Sequence, residues 1–260
     1  MFSSSEPEIR VADAKGSLLL TINRPEAGNS LALSTAEALR AALAAARGRT
    51  DLRGIVITGA GGKFFCTGGD LKAYRAIATP AELAHTFGTV RSLLRDIEQH
   101  PLLVIAAIDG YALGGGAELA LACDLRIAAP SARFGFPQAK LGIIPGWNGT
   151  ERLVRIVGPG RATRLLLDGT GLTAEQALAM GLIDIVTGGT DAAEQALDYL
   201  AGLEAAPLAA RAVKEAVRAS QPALDADATA AIFERLWFTE DHREAERAFA
   251  EKRTPTFTGR

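Results

Sequence analysis

Apolar positions follow two alternating periods through the first two thirds of the chain. "GSLLLTINRP" (16–25) is an apolar run halted at Asn23-Arg24-Pro25 and predicts a strand, because proline lacks a ladder donor and turns its predecessor away from helix. "LSTAEALRAALAAARGR" (33–49) spaces Ala and Leu helically behind Ser34 or Thr35 as N-cap, with Glu37 close behind, and predicts a helix. A β-branched strand follows in "LRGIVITGAGG" (52–62), then an amphipathic helix in "TPAELAHTFGTVRSLLRDIEQHP" (79–101), closed by His100-Pro101. "LLVIAAIDGYA" (102–112) is almost wholly apolar and predicts a strand buried on both faces. Strand alternating with helix implies an α/β layer architecture. From about Thr173 the period becomes helical throughout, in "TAEQALAMGL", "DAAEQALDYLAGLEAA", "LAARAVKEAVRAS" and "DADATAAIFERLWFTEDHREAERAFAEKR". With no repeat, low-complexity tract or flexible linker in view, this last third is expected to pack on the α/β part or on another subunit.

Composition narrows the class. With 260 residues, 48% hydrophobic and 22% charged, the chain has the make-up of a globular protein with a full core. Lys+Arg 28 against Asp+Glu 30 leaves a net charge of -2, so no basic field suited to nucleic acid is expected. Two cysteines, Cys66 and Cys123, are too few for a disulfide framework and sit among apolar residues, as buried small hydrophobes do. "MFSSSEPEIR" lacks the basic and apolar regions of a signal peptide, and no apolar run approaches the roughly 20 residues of a membrane span. The expectation is a cytoplasmic protein with no membrane partner.

Two glycine clusters carry the candidate chemistry. In "GYALGGGAELALACD" (110–124), Gly114 to Gly116 follow an apolar strand and precede a helix expected to start near Gly116, where first-turn N–H groups lack acceptors. Glu118 stands on that first turn among Ala117, Leu119 and Ala120. Poorly solvated, it would have a raised pKa and act as an acid or base near neutrality; facing water, it would only favour the helix dipole. The second cluster, "FFCTGGDLKAY" (64–74), places Thr67-Gly68-Gly69-Asp70 at another strand-to-helix corner, or merely at a turn. Two such corners can aim backbone N–H groups at one developing negative charge, as an oxyanion hole does. Other patterns fail. "VITGAGGKFF" (56–65) is not followed by G-x-G-x-x-G and lacks the spacing and hydroxyl residue of a P-loop. His85, His100 and His242 are scattered without the partners of a metal site or triad.

Five segments in order, "NRPEAGNSL", "FFCTGGDL", "PLLVIAAIDGYALGGGAELALACDLRIA", "ARFGFPQAKLGIIPGWNGTERLVRIVG" and "AFAEKRTPTF", together resemble the crotonase, or enoyl-CoA hydratase/isomerase, superfamily over nearly the whole chain. The resemblance implies a crotonase-like spiral of repeated ββα units over 1–195 and a C-terminal helical trimerisation region over 196–260. It implies a homotrimer, or a homohexamer of two trimers, an acyl-CoA thioester as substrate, and no metal or redox cofactor. The oxyanion hole carries over onto the N–H groups of Gly69 and Gly115. Coenzyme A binding carries over onto Glu26, Ala27 and Asn29, onto Thr67, Asp70 and Leu71, and onto Phe233 and Lys252 near the C-terminus, a region that often serves a neighbouring subunit. Lys252 reads equally as a surface cation, and Phe233 as trimer core.

The departures from the family pattern bear on the reaction. Glu118 fills the first catalytic glutamate position, but "FGFPQ" puts Gln138 where the second is expected, and an amide holds water without exchanging a proton. In "PGWNGT", Trp147 and Asn148 replace small residues; Trp147 either reshapes the acyl pocket or packs in the core. Asp70 is conceivable as a second acid, although in the family this aspartate is mostly structural. An enoyl-CoA hydratase/isomerase is expected, with an acyl-CoA decarboxylase or double-bond isomerase favoured by the single carboxylate. The alternative outside catalysis is an acyl-CoA or RNA-binding homologue.

Overall fold

The computed structural model describes residues 6–189, 191–221 and 226–260. The first five residues of the N-terminal stretch, and Asp225 at the head of the last helical run, lie outside the described residues. The chain opens with an antiparallel pair, β1 (Ile9–Ala14) and β2 (Ser17–Ile22), and helix α1 (Leu33–Ala46). Next come β3 (Gly54–Gly59), β4 (Phe64–Cys66), α2 (Leu71–Arg75) and α3 (Pro80–Glu98). Then follow β5 (Leu103–Ile108), β6 (Tyr111–Leu113), α4 (Gly115–Ala122), β7 (Leu125–Ala128), β8 (Arg133–Gly135) and α5 (Gly149–Val157). The remainder is α6 (Pro159–Asp168), β9 (Leu172–Thr173), α7 (Ala174–Ala179), β10 (Ile185–Val186), α8 (Ala192–Ala201), α9 (Pro207–Ala219), α10 (Ala226–Trp237) and α11 (Glu240–Glu251).

Three successive turns have the same plan: β3-β4, β5-β6 and β7-β8 each lead into helix. The first strand of each joins a six-stranded sheet ordered β1-β2-β3-β5-β7-β10, and the second joins a four-stranded sheet ordered β4-β6-β8-β9. Stacking these turns in parallel register winds the chain into a spiral of ββα units. Strand β5 at its centre is buried on both faces from Val104 onward, which explains its unbroken apolar sequence. Both cysteines are free and buried, and burial pushes each thiol up to about 12, so they pack as small hydrophobes.

Local expectations and structure part company in places. Ala32, not Ser34 or Thr35, is the N-cap of α1, because both hydroxyls are spent on the Glu8 carboxylate of the strand-leading segment, at 2.7 and 2.8 Å. Helix α3 matches its sequence signal, starting at a Thr79/Glu82 capping box with Pro80 at its first turn. The last third is not purely helical: β10 returns to the large sheet in parallel with β7. The division expected at 195/196 falls inside α8, whose Ala192, Ala196, Leu197 and Leu200 pack on Val56, Ile105 and Ile127 of that sheet. The final run breaks at Phe238-Thr239, where the Thr239 hydroxyl accepts from His242 N and starts α11.

Helix α9 is tied down by a buried ion pair. Lys214 Nζ lies 2.6 Å from Asp124 Oδ2 and donates to the carbonyls of Ile97 and Leu102, while the same Asp124 oxygen accepts from Val104 N. Burial lowers the lysine pKa and raises that of the aspartate, each opposed by the other's charge. Lys214→Ala strands a mostly buried carboxylate and is expected to lower the free energy of unfolding by about 3–5 kcal/mol, read from urea denaturation.

Candidate active site

Among the described residues Glu118 is the most deeply buried acid. It sits on α4, a helix buried from Gly116 to Ala122, and is itself 2% exposed. Helix α4 begins at Gly115, one residue earlier than the sequence suggested, because Gly114 takes the left-handed side of backbone space at φ 55 and turns the chain out of β6. The carboxylate then faces a loop between the 3-10 turn Pro137–Leu141 and α5. Its Oε2 accepts from the amides of Trp147 at 2.7 Å and Gly149 at 2.9 Å, and its Oε1 accepts from Gln138 Nε2 at 3.1 Å. A Cβ at residue 149 would fall 2.4 Å from Glu118 Cγ, so only glycine lets the loop amides come this close. Burial raises the Glu118 pKa to about 7; the two loop amides, Arg152 and Gln138 hold it from rising further. The carboxyl is therefore balanced between acid and base at neutral pH.

The two glycine corners abut beside this carboxyl. Gly68, at φ 108, turns the chain from β4 toward α2, and a Cβ on it would fall 3.0 Å from the amide nitrogen of Gly115. Gly115 N is a first-turn amide with no acceptor inside its helix, and Gly69 N has no hydrogen-bond partner among the described residues. An aromatic ring lies over each glycine: Tyr74 against Gly69 and Trp147 against Gly115, where a Cβ would meet the rings at 2.1 and 2.5 Å. The corners open into a cavity of about 430 Å³, apolar except for a few polar groups, as ligand sites generally are. A larger cavity of about 690 Å³ lies elsewhere, under α9, around Asp124, Arg126 and Lys214.

Of the residues singled out from sequence, Thr67, Gly69, Leu71, Gly115, Glu118, Gln138, Trp147 and Phe233 line the smaller cavity together. Phe233 does so from α10 of the same chain, with its ring 4.6 Å from Phe87. Trp147 is 2% exposed, so packing and pocket readings both apply to it. Glu26, Ala27, Asn29, Asp70 and Lys252 do not line the cavity. Glu26, Ala27 and Lys252 are exposed. Asn29 is fully buried, and its side-chain amide is spent on Arg24 N, Ala60 O and Phe64 O, so that side chain builds the loop. Asp70 likewise caps α2 through Lys72 N and Ala73 N and pairs with Arg24 at 2.9 Å. That guanidinium holds its pKa below the ordinary carboxylate value and so favours the ionised form.

Sequence reasoning missed Tyr74, Phe87, Trp237 and His242, which complete the cavity wall. Their rings form one cluster, with Tyr74 to Phe87 at 4.8 Å, Phe87 to Trp237 at 5.2 Å and Trp237 to His242 at 4.7 Å. No local motif marks them. Among the described residues there is no cluster of three or more His, Cys, Asp or Glu able to hold a metal ion, and no helix is long and apolar enough to cross a membrane.

A spiral of ββα units with paired glycine amides beside a buried carboxyl defines a class of site suited to charge developing on a carbonyl oxygen next to a proton carrier. The sequence profile described as Enoyl-CoA hydratase/isomerase matches residues 13–260, and this chain belongs to that family. It is 40% identical to the "Enoyl-CoA isomerase/hydratase fer4" of Mycosarcoma maydis, covering 96% of this chain and 95% of that protein. It is also 40% identical to the "2,3-dehydroadipyl-CoA hydratase" of Escherichia coli (strain K12), covering 97% and 99%. Among solved structures, carnitinyl-CoA hydratase from Mycobacterium avium superposes with a TM-score of 0.87 at 34% identity, over 98% of this chain and 100% of the other. The chain is thus an acyl-CoA-processing enzyme of the hydratase/isomerase family with the crotonase fold.

Because Gly149 has no room for a side chain, Gly149→Ala is expected to push Glu118 off its amides. The outcome is a fall in kcat of about 100-fold with an unchanged far-UV circular dichroism spectrum.

Proposed function

We propose that this enzyme adds water to a 2-enoyl-coenzyme A thioester, with Glu118 as its one proton carrier and Gln138 as the holder of the water. The observation that carries this reading is the Gln138 amide of the cavity wall: Nε2 is committed to Glu118, while Oε1 is buried with no partner. A water hydrogen can be accepted there, and a buried acceptor left unpaired costs about 1–3 kcal/mol.

The thioester oxygen accepts hydrogen bonds from Gly69 N–H and Gly115 N–H, and each donor of such a pair is worth on the order of 3 kcal/mol as negative charge gathers on that oxygen. Water held by Gln138 Oε1 gives one proton to the Glu118 carboxylate as its oxygen bonds to carbon three. The electron pair of the double bond moves to the thioester enolate. Protonated Glu118 then returns the proton to carbon two, and the enzyme is restored with H and OH added across the bond. A pKa near 7 suits a group that must first take and then give a proton. These steps call on no metal or redox group.

Thr67 and Leu71, which line the cavity, would flank the thioester arm, and the exposed Glu26, Ala27 and Lys252 would meet the nucleotide end of coenzyme A. The helical part, here α9 to α11, is proposed to assemble trimers or hexamers. Leu208, Val213 and Val217 support this as exposed apolar residues of α9, at 78%, 62% and 55%. The hydratase names borne by the relatives favour hydration. One observation favours a second reaction on the same site: a single carboxyl suffices to move a proton between carbons two and four, which is double-bond isomerisation.

Incubation with crotonyl-CoA is expected to add the mass of one water. A 3-enoyl thioester converted without mass change, with no hydration of crotonyl-CoA, would replace hydratase by isomerase. Glu118→Gln is expected to cut kcat by 100-fold or more while leaving thioester binding intact, and retained turnover would remove Glu118 as the base. Only ionised Glu118 accepts the water proton, so kcat/KM for hydration should fall about tenfold per pH unit below an apparent pKa near 7. A profile flat between pH 5 and 8 contradicts the assignment.

A further inference from the structure

The two glycine amides of the cavity wall are not held equally. Gly115 is the first residue of α4, so the helix sets the direction of its N–H. Gly69 lies in the loop between β4 and α2, with no helix to set it. The peptide plane that carries Gly69 N–H joins two glycines, and Gly68 sits at φ 108. A plane flanked by glycines rocks easily, because neither residue restricts the dihedral beside it. An amide that must meet a developing charge without delay needs a fixed direction, so restraint has to come from the surroundings.

Two restraints meet at Gly69. The first is Leu31: Gly68 O accepts from Leu31 N at 2.8 Å and Asp70 N donates to Leu31 O at 3.1 Å, pairing Leu31 with Gly69 as an isolated parallel bridge. The carbonyl and N–H of one peptide point in opposite directions, so with Gly68 O turned to Leu31 the Gly69 N–H is turned away from it. These bonds hold the corner only within their own plane. The direction of a Cβ stands out of that plane, and there the second restraint lies. A Cβ built on Gly69 would overlap Cζ, Oη and Cε2 of Tyr74, so the ring fills the place beside the Gly69 Cα that a side chain would otherwise take. The ring is itself backed. Phe87 packs on it at 4.8 Å and Trp237 meets it edge-on at 6.1 Å, and these two side chains are 3% and 2% exposed.

We propose that Tyr74 is a positioning residue for the reaction: its ring, backed by Phe87 and Trp237, holds the Gly69 corner so that Gly69 N–H and Gly115 N–H meet one thioester oxygen. This rests on the reading of those two amides as an oxyanion hole. The ring acts by its bulk against a glycine, so the phenol hydroxyl is dispensable. The test reads the thioester carbonyl itself and needs no turnover. Butyryl-CoA labelled with carbon-13 at the carbonyl is bound to the full-length protein, and isotope-edited infrared spectra compare its carbonyl band bound and free. Two aimed donors polarise the carbonyl and lower its frequency; with one of them lost, Tyr74→Leu is expected to reduce that shift to about half or less of the wild-type value. Tyr74→Phe keeps the ring and should keep the wild-type shift. Phe87→Leu removes the backing of the ring and should also diminish the shift, which decides the matter if Tyr74→Leu does not fold. An undiminished shift in Tyr74→Leu, or in Phe87→Leu where the first variant does not fold, overturns the proposal. So does a shift in Tyr74→Phe as small as in Tyr74→Leu, because the hydroxyl and not the ring would then be at work. Wild-type protein that binds butyryl-CoA without lowering the band overturns the oxyanion reading instead, and absence of binding overturns the thioester reading.

Discussion

The structure turns on keeping one carboxyl out of water without leaving it alone. Glu118 is buried among apolar side chains, where an unaided carboxylate would be too costly to ionise, and three N–H groups make ionisation affordable at neutral pH. Two of the three belong to a loop, which must itself be held. Arg152 holds it, donating to the carbonyls of Trp147 at 2.6 Å and Asn148 at 3.0 Å, and is in turn paired with Glu98 at 2.8 Å. Asn148 takes a left-handed conformation at φ 63 and bonds Ala226 O, joining the loop to the start of α10. A continuous polar chain thus runs from α3 through α5 to the Glu118 carboxyl and on to the helix that carries Phe233 and Trp237 of the cavity wall.

The winding of the chain explains why this chemistry sits where it does. Each ββα turn sends its first strand to the large sheet and its second to the small one, so the corners after β4 and β6 are stacked neighbours although more than forty residues apart. The β4-β6 pairing is parallel, which brings equivalent corners level. Two backbone amides can then face one point with no side chain involved, and the helical tail closes the space above them with Phe233, Trp237 and His242.

How legible this was depended on range. The glycine corners and Glu118 could be read because strand, glycine, helix and acid lie within fifteen consecutive residues, where local geometry decides. Helix α3 was readable for the same reason, since its cap and apolar stripe are local. The cap of α1 was not, because Ser34 and Thr35 answer to Glu8, a partner more than twenty residues away. Asn29 and Asp70 occupy family binding positions, yet their side chains are engaged by backbone or by Arg24, which local sequence does not reveal. The cavity wall was the least visible feature. Tyr74, Phe87, Trp237 and His242 come from four helices, and only tertiary packing brings them together.

Gln138 changes the electrostatics of the site as well as its proton count. A second carboxylate 3.1 Å from Glu118 would be a like charge at close range, driving one of the pair to stay protonated and coupling their titrations. The amide instead donates a hydrogen bond that favours the ionised form, so Glu118 titrates as a single group. In the proposed hydration, with one carrier, the proton taken from water and the proton delivered to carbon two pass through the same carboxyl. Both must then approach the substrate from the side on which Glu118 lies. A two-carboxylate site can divide the work between partners of different basicity; this one needs a single group that is equally able as base and acid, and the burial of Glu118 with its three donors supplies that balance.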